Sequence, residues 1–428
     1  MKYQTYADYK DSGVEWLGEV PEPWKLCRLK FMAKIKNGQD YKVVEVEEGY
    51  PVMGSGGQFA YASKFMYDQE SVLLGRKGTI DKPLYINEPF WTVDTMYYTE
   101  INKDFYPRYL YYLALTIQFG RYSTNTALPS MTQEHLGNFA FAIPDNVYDR
   151  KAIAHFLDHE TAKIDTLIEK QQQLVKLLKE KRQAVISHAV TKGLNPNVKM
   201  KDSGVEWLGE VPEHWLLPKV KWIFQTASGG TPNTAKFEEY YQDGQVPWIR
   251  TTDLNNGELF ETPVLITTQA LKDSACSILP INSVLVAMYG GAGSIGKHSL
   301  LKFKSTINQA VCAILPNEKI DSEFLHLFIE FYREFWMVGA EGTRKDPNIS
   351  QDVIRDLVVP CPSINEQHSI VQTTKSKLSI IDKIVQKSES NIDLMQERRT
   401  ALISAAVTGK IDVRNFKATG AKQCLHAG

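Results

Sequence analysis

The sequence is poor in the residues that hold small secreted domains or metal sites together. Its five cysteines, at Cys27, Cys276, Cys312, Cys361 and Cys424, are scattered, and none forms a Cys-x-x-Cys pair. An odd and dispersed set argues against a disulfide framework and a zinc site, and it favours a reducing cytoplasm. No apolar run approaches the ~18 residues of a membrane span, and the N-terminus lacks the apolar core of a signal peptide. We therefore expect a globular, cytoplasmic protein.

Motifs of common catalytic sites are absent or incomplete. The histidines form no H-E-x-x-H pattern, and no Gly-x-Ser-x-Gly elbow is present. Residues 291–297 resemble a phosphate-binding loop, but His298 and a strand-like segment follow where Ser or Thr and a helix are required. Asp145 and Asp149 beside Lys151 imitate a nuclease motif, but they are too close together for metal-dependent cleavage. The sequence therefore predicts no catalytic residue and no metal site in this chain.

Net charge is also nearly absent, at −1, whereas nucleic-acid-binding domains are commonly basic. Neutral overall charge predicts weak binding of free DNA and a need for a basic partner, unless acidic and basic residues are segregated. The length of 428 residues suggests two to four domains.

An internal repeat is the most informative feature that is present. Residues 10–24 return as residues 201–215 with one difference, at Pro23 and His214, and residues 180–187 return in related form as 397–404. The two offsets, 191 and 217, mean that the second half holds about 26 more residues between its shared markers. Each half thus has similar repeated segments at its borders and an unlike sequence between them, which predicts two different domains on a common scaffold.

Each half ends in a long segment that favours a helix. Residues 145–192 and 363–408 contain neither glycine nor proline, and each segment has Pro before it and Gly after it. Apolar residues recur at steps of three, four and seven, which is typical of a coiled-coil-like seam between two paired helices. The seam is predicted to contain Ile164, Leu167, Ile168, Val175, Leu178, Ile381, Ile384, Val385, Ile392 and Met395. A surface helix packed on its own domain is the alternative for each segment.

The sequences between the repeated segments predict mixed α+β domains. Residues 71–74, 93–98, 283–286 and 309–315 favour strands, and residues 104–118 and 322–338 favour short helices. The predicted organisation is an α+β domain at 1–145, a long helix at 146–195, a second domain at 196–362, a second long helix at 363–412 and a tail at 413–428. Two long antiparallel helices would join the domains with pseudo-two-fold symmetry.

Side chains that read base edges and hold phosphates concentrate in the predicted loops. The alternative for any one of them is an ordinary solvated loop residue. The first half contributes Lys36, Gln39, Arg76, Lys77, Thr79, Lys82, Arg121, Asn125, Thr132 and Gln133, together with Asn37. The second half contributes Arg250, Thr251, Thr252, Lys297, His298, Asn308, Gln309, Arg344, Lys345, Asn348 and Gln351, together with Ser350.

These features together resemble the specificity subunit of a type I restriction–modification system, over essentially the whole chain. The matching residues are the repeated lead-in Asp-Ser-Gly-Val-Glu-Trp-Leu-Gly-Glu-Val-Pro-x-x-Trp, the triplets 132–134 and 350–352, and the two helix ends Arg-Gln-Ala-Val-Ile-Ser and Arg-Thr-Ala-Leu-Ile-Ser. The resemblance implies two target-recognition domains, each of which binds one half of a split sequence in double-stranded DNA. The unlike sequences of the two domains predict unlike half-sites and hence an asymmetric target. It also implies docking of two methyltransferase subunits, and restriction subunits that bind the resulting enzyme.

The same resemblance implies that the chemistry lies on the partners. Adenine methylation with S-adenosylmethionine, and DNA cleavage that needs ATP and Mg²⁺, would belong to those subunits, and no cofactor would bind this chain. Two alternatives stay open: a non-enzymatic coiled-coil scaffold with two protein- or glycan-binding end domains, and an orphan subunit that binds DNA without a restriction partner. A steep salt dependence of DNA affinity would separate the first alternative from a DNA-binding protein.

Overall fold

The computed structural model describes residues 3–121, 129–290, 293–338 and 348–416. The chain divides into two compact units. Unit 1 contains Met1–Gln172 and Glu389–Gly428, and unit 2 contains Gln173–Ser388. Each unit is mixed α+β, as the sequence predicted. Among the helices of the described ranges, none combines the length and the apolar character that a membrane crossing requires.

Within its described residues, unit 1 has twelve strands, three short α-helices and part of each long helix. Its strands are β1 Tyr9–Asp11, β2 Glu19–Pro21, β3 Trp24–Arg28, β4 Ala33–Asn37, β5 Glu45–Val46, β6 Tyr50–Gly54, β7 Gly57–Ala62, β8 Ser71–Gly75, β9 Leu84–Ile86, β10 Trp91–Thr92, β11 Met96–Ile101 and β12 Ala140–Pro144. Its short helices are α1 Leu29–Met32, α2 Pro107–Ala114 and α3 Gln133–Asn138.

Two four-stranded sheets carry the body of unit 1. One has the strand order β4-β11-β8-β9 with antiparallel neighbours, and the other has the order β10-β6-β7-β5. In the second sheet β10 runs parallel to β6, with Thr92 beside Met53. Strand β8 is buried along its whole length: Val72, Leu73 and Leu74 are apolar, and the hydroxyl of Ser71 donates to the carbonyl of Thr99 at 2.8 Å. The core of the unit continues from these strands into the long helices.

Unit 2 has a similar arrangement of strands and helices, with more residues between its repeated segments. The long helix α4 Val147–Lys192 enters it, and it contains strands β13 Met200–Asp202, β14 Glu210–Pro212, β15 Thr226–Ser228, β16 Val246–Ile249, β17 Glu258–Leu259, β18 Leu265–Ile266, β19 Val284–Ala287, β20 His298–Leu301, β21 Thr306–Ile307 and β22 Val311–Ile314. Its remaining helices are α5 Val220–Ile223, α6 Phe237–Tyr240, α7 Thr268–Asp273, α8 Ser322–Val338, α9 Gln351–Arg355 and the long α10 Ile364–Val407.

The strand orders of the two units correspond. The five-stranded sheet β15-β22-β19-β20-β17 contains the counterpart of β4-β11-β8-β9, and the parallel pair β16 and β21 corresponds to β6 and β10. Helix α8 has 17 residues where α2 has 8, which accounts for part of the extra length that the offsets predicted. The strand predicted at 93–98 is wrong at its start, because β11 begins only at Met96.

The long helices contribute to both units. Helix α4 passes from unit 1 to unit 2 and α10 passes back, so the two segments that share a core within each unit run in opposite directions. In unit 1 the Nε of Arg399 donates to Asp165 at 2.7 Å. In unit 2 the Nε of Arg182 donates to Asp382 at 3.1 Å. These ion pairs fix one helix against the other inside each unit.

The predicted seam needs one correction. Ile164, Val175 and Ile381 are buried, but Leu167 and Ile384 are 52% and 42% exposed. The other five members, Ile168, Leu178, Val385, Ile392 and Met395, are partly buried. Adjacent residues on an α-helix point about 100° apart, so Leu167 and Ile168 cannot both face one narrow seam, and neither can Ile384 and Val385. The sequence pattern had merged the seam with a second, exposed apolar face.

Candidate nucleic-acid interface

A glycine that tolerates no side chain anchors one loop of unit 1. Residues 37–39, here called glycine loop 1, follow strand β4. A Cβ added to Gly38 would lie 2.0 Å from the carbonyl oxygen of Val93, so only glycine fits. The backbone nitrogen of Gln39 donates to the carbonyl of Thr92 at 2.9 Å, and the indole nitrogen of Trp91 donates to the carbonyl of Gln39 at 3.1 Å. Glycine loop 1 is thereby fixed against the end of strand β10.

Polar side chains from separate segments meet at this loop. The backbone nitrogens of Arg76 and Lys77 donate to the carbonyl of Thr95, and an Arg76 guanidinium nitrogen donates to the carbonyl of Asp94 at 3.1 Å. The side-chain nitrogen of Gln133 donates to the Asn37 side chain at 3.0 Å. The fold therefore brings Asn37, Gln39, Arg76, Lys77 and Gln133 to one surface, although 96 residues separate Asn37 from Gln133.

The same construction recurs in unit 2. Residues 228–231, here called glycine loop 2, follow strand β15, and a Cβ on Gly229 would collide with the carbonyl oxygen of Ile307. The indole nitrogen of Trp248 donates to the carbonyl of Gly230 at 2.9 Å. Trp91 lies on β10, whereas Trp248 lies on β16, the counterpart of β6. The indole that binds the glycine loop therefore comes from a different strand of the parallel pair in each unit.

Glycine loop 2 also gathers polar side chains. The hydroxyl of Thr231 donates to the side-chain oxygen of Gln309. The backbone nitrogen of Asn308 donates to the carbonyl of Ile249 at 2.9 Å, which places Asn308 and Gln309 beside the end of β16. Gln351 corresponds to Gln133, and its side-chain nitrogen donates to the hydroxyl of Thr226 at 2.9 Å. Amides and hydroxyls are suited to contact base edges and phosphates.

Two helix caps account for hydroxyls that the sequence associated with DNA. The hydroxyl of Thr132 accepts a hydrogen bond from the backbone nitrogen of His135, and that of Ser350 accepts one from Val353. These are N-cap interactions at the starts of α3 and α9. The caps position Gln133 and Gln351 at the first residue of each helix.

Several predicted residues lie elsewhere or are engaged. The Lys36 ammonium pairs with Glu100 at 3.7 Å, and Arg121 pairs with Glu15 at 3.2 Å. Thr79 and Lys82 are exposed near the turn at Gly78, and Thr252, Lys297 and Asn348 are at least partly exposed in unit 2. Asn125, Arg344 and Lys345 lie outside the described residues.

The structure corrects two assignments and limits a third. His298 is 1% exposed, because it lies in strand β20 with its Nδ1 2.9 Å from the Nε2 of His326. Thr251 is also buried. Neither side chain can reach DNA without unfolding its surroundings. The Arg250 guanidinium donates two hydrogen bonds to Asp253, which raise the pKa of the guanidinium and neutralise much of its charge. Polarity alone had made His298 and Thr251 resemble surface residues, whereas Arg250 lies at the surface but is engaged by Asp253.

The sequence analysis missed the glycines and the tryptophans that fix both loops. Gly38 and Gly229 are 191 residues apart, the offset of the repeated lead-in, so extending that alignment would have found them. Strand β20 begins directly after Lys297, as the sequence predicted, whereas a phosphate-binding loop would be followed by a helix. In the described residues no group of three or more His, Cys, Asp or Glu is placed to hold a metal ion.

Comparison with known proteins gives one family. The model of the type I restriction modification DNA specificity domain matches twice, at residues 21–177 and 212–392. The specificity subunit of the type I restriction enzyme EcoBI from Escherichia coli is 24% identical over 95% of this chain and 90% of its own length. The MjaVIII specificity subunit from Methanocaldococcus jannaschii is 24% identical over 93% of this chain and 95% of its own length.

Solved structures share the fold. A chain from a structural study of the assembly and conformational transition of the type I restriction–modification system has a TM-score of 0.70 at 12% identity, over 91% of this chain and 98% of that one. The HsdS subunit from Thermoanaerobacter tengcongensis has a TM-score of 0.51 at 11% identity, over 92% of this chain and 98% of that one. The two matched domains contain the two glycine loops.

Proposed function

The chain belongs to the type I restriction–modification specificity subunits, and on that premise we propose that each unit binds one half of an interrupted sequence in double-stranded DNA. The observation that carries the proposal is the pair of glycine loops. Each loop is held rigidly against a neighbouring backbone and gathers hydrogen-bonding side chains from distant parts of its unit. A rigid loop lowers the conformational cost of ordering those side chains on DNA.

The two loops support an asymmetric target. Glycine loop 1 lies beside Arg76 and Lys77, whereas glycine loop 2 contains Thr231 and lies beside Gln309. Cations and neutral hydrogen-bonding groups have different preferred base edges, because arginine and lysine suit guanine while amides suit adenine. The two surfaces therefore carry unlike sets of side chains, which favours unlike half-sites.

Exposed apolar side chains on the long helices support docking of two methyltransferase subunits. Leu167 and Leu394 are exposed on the helical segments of unit 1, and Leu177 and Ile380 are exposed on those of unit 2. Apolar side chains at helical spacing are suited to pack against helices of a partner. We expect one methyltransferase subunit to bind each unit, which also supplies the positive charge that this nearly neutral chain lacks.

The reactions then belong to the partners. We assign adenine methylation with S-adenosylmethionine to the methyltransferase subunits, and DNA cleavage with ATP and Mg²⁺ to the restriction subunits. The chain's own contribution is to bind DNA and to select the sequence. The absence of catalytic motifs in the amino-acid sequence is consistent with this division.

Methylation mapping tests the proposal directly. The full-length chain is co-expressed with the methyltransferase that co-purifies with it, in a host whose own adenine methyltransferases have been deleted. We expect methylated adenines at one bipartite, asymmetric sequence, and none when the chain is omitted. Methylation at an uninterrupted sequence, or methylation that persists without this chain, would contradict the proposal.

A further inference from the structure

A pair of aromatic rings stands beside glycine loop 1. The ring of Phe59, on strand β7, is 55% exposed and packs edge-on against Tyr41, with centroids 5.1 Å apart and an interplanar angle of 86°. Tyr41 follows Gln39 by two residues, and Trp91 holds Gln39 in place. Phe59 also lies close to Gly54, where an added Cβ would come within 3.2 Å of its ring. Phe59 is therefore held at the edge of the surface that contains glycine loop 1.

Unit 2 has a pair of rings at the corresponding place. Phe237 is 63% exposed and stacks on Tyr241, with centroids 5.5 Å apart and an interplanar angle of 13°. The hydroxyl of Tyr241 donates to the carbonyl of Pro232, next to glycine loop 2, at 2.7 Å. Tyr241 also packs against Trp248, whose indole holds the carbonyl of Gly230. Phe237 is thus connected to glycine loop 2 through one ring, as Phe59 is to glycine loop 1.

The repetition of this arrangement separates these rings from scattered surface aromatics. Phe59 comes from a strand and Phe237 from helix α6, so the two rings do not descend from one shared element. Single exposed apolar side chains are common on proteins and need no explanation. Here two unrelated segments place a largely exposed phenylalanine beside the same loop, each supported by a tyrosine. We infer a shared role at the DNA surface.

We propose that Phe59 and Phe237 determine specificity by contacting the 5-methyl group of a thymine, one in each half-site, an inference that rests on the proposed function. Phenylalanine has no hydrogen-bonding atom, so it cannot distinguish donors from acceptors on a base edge. The one apolar group that a base pair presents in the major groove is the thymine methyl. The different ring geometries, edge-on at Tyr41 and stacked at Tyr241, place the two contacts differently in the two half-sites.

Deoxyuridine provides the test, because it lacks only the methyl group of thymidine. The full-length chain, with its co-purifying methyltransferase, is titrated with fluorescent duplexes that carry the mapped target. Each thymine is replaced by deoxyuridine in turn. We expect about fourfold weaker binding at one thymine of each half-site, which corresponds to one methyl-sized group at ~0.8 kcal/mol. Phe59→Ala removes this sensitivity in one half-site only, and Phe237→Ala removes it in the other.

Phe31→Ala and Trp222→Ala are the matched controls. Both residues are exposed aromatics at equivalent places in the two units, Phe31 in α1 and Trp222 in α5. Each lies shortly before the strand whose other end leads into the glycine loop of its unit. Both controls retain the full deoxyuridine effect. The inference is overturned if Phe59→Ala leaves that effect unchanged, if neither half-site contains thymine, or if the variants lose methyltransferase binding instead.

The failure of this inference differs from a failure of the proposed function. If the wild-type complex prefers the mapped duplex over a scrambled one but ignores the thymine methyls, only the role of the two rings is wrong. If the complex shows no preference for the mapped duplex, the DNA-specificity proposal itself fails.

Discussion

Replacing Gly38 by alanine should disable one half of the recognition surface. The added Cβ would lie 2.0 Å from the Val93 carbonyl oxygen, whereas Cβ contacts below 3.0 Å essentially do not occur. The two segments must therefore separate by about 1 Å. Two hydrogen bonds cross this junction, from Gly38 to Met96 at 3.0 Å and from Gln39 to Thr92 at 2.9 Å. A separation of about 1 Å takes both beyond hydrogen-bonding distance.

The energetic cost can be placed in a range. Each lost backbone hydrogen bond costs about 0.5–1.5 kcal/mol, and crowding in a packed region costs about 1–3 kcal/mol. We therefore expect unit 1 to lose roughly 2–6 kcal/mol, measured as the free energy of unfolding in urea. Because glycine loop 1 must move, affinity for the mapped target should fall at least about tenfold, which is the effect of one mismatched base pair.

A matched control separates the loop from a general effect of alanine. Gly120 has no heavy atom within 4 Å of an added Cβ and does not occupy the left-handed region. Gly120→Ala should leave both stability and DNA affinity unchanged. In Gly38→Ala, duplexes altered in one half-site should no longer be discriminated, while discrimination at the other half-site persists. If Gly38→Ala behaves like Gly120→Ala in both assays, the rigid-loop argument is refuted.

Three further predictions address charge, pH and the long helices. Lys77→Ala should reduce the slope of log affinity against log salt by about 0.9, because one phosphate contact is lost. Lys103 is also exposed, but it follows Ile101 at the end of β11 opposite to glycine loop 1, so Lys103→Ala should leave the slope unchanged. Burial beside His298 lowers the pKa of His326 to about 4. The His326 side chain therefore becomes protonated near pH 6.5 in the unfolded chain but only near pH 4 in the folded chain. For this reason the free energy of unfolding should fall by about 3 kcal/mol between pH 6.5 and 4. His326→Gln should remove the His326 contribution in urea titrations and leave the one made by the buried His298, whose pKa burial also lowers. A profile that His326→Gln leaves unchanged would contradict the prediction. The length of the paired long helices is expected to set the separation of the two half-sites, at about 1.5 Å per helical residue. Inserting four residues within 165–180 of α4 should therefore lengthen the spacer of the mapped target without changing either half-site, and an unchanged spacer would contradict this expectation.

The amino-acid sequence determined the repeat, the long helices and the absence of catalytic motifs. These features depend on local order along the chain: a duplicated segment, a run without glycine or proline, and residues at fixed spacing. Helices α4 and α10 begin and end within a few residues of the predicted limits because proline and glycine act on the backbone at those positions. Helix α8 likewise coincides with the predicted segment.

The tertiary structure alone decided which polar residues share a surface. Gln133 reaches Asn37 because β4 and α3 meet in space, and no sequence spacing encodes that contact. His298 was assigned to the surface because polarity is visible in a sequence, whereas burial depends on the strand and helix that cover it. Leu167 and Ile384 show the same limit, since the sequence gives apolar spacing and the packed partner selects which side of the helix is buried. Side-chain chemistry is local, but exposure is a property of the whole packed unit.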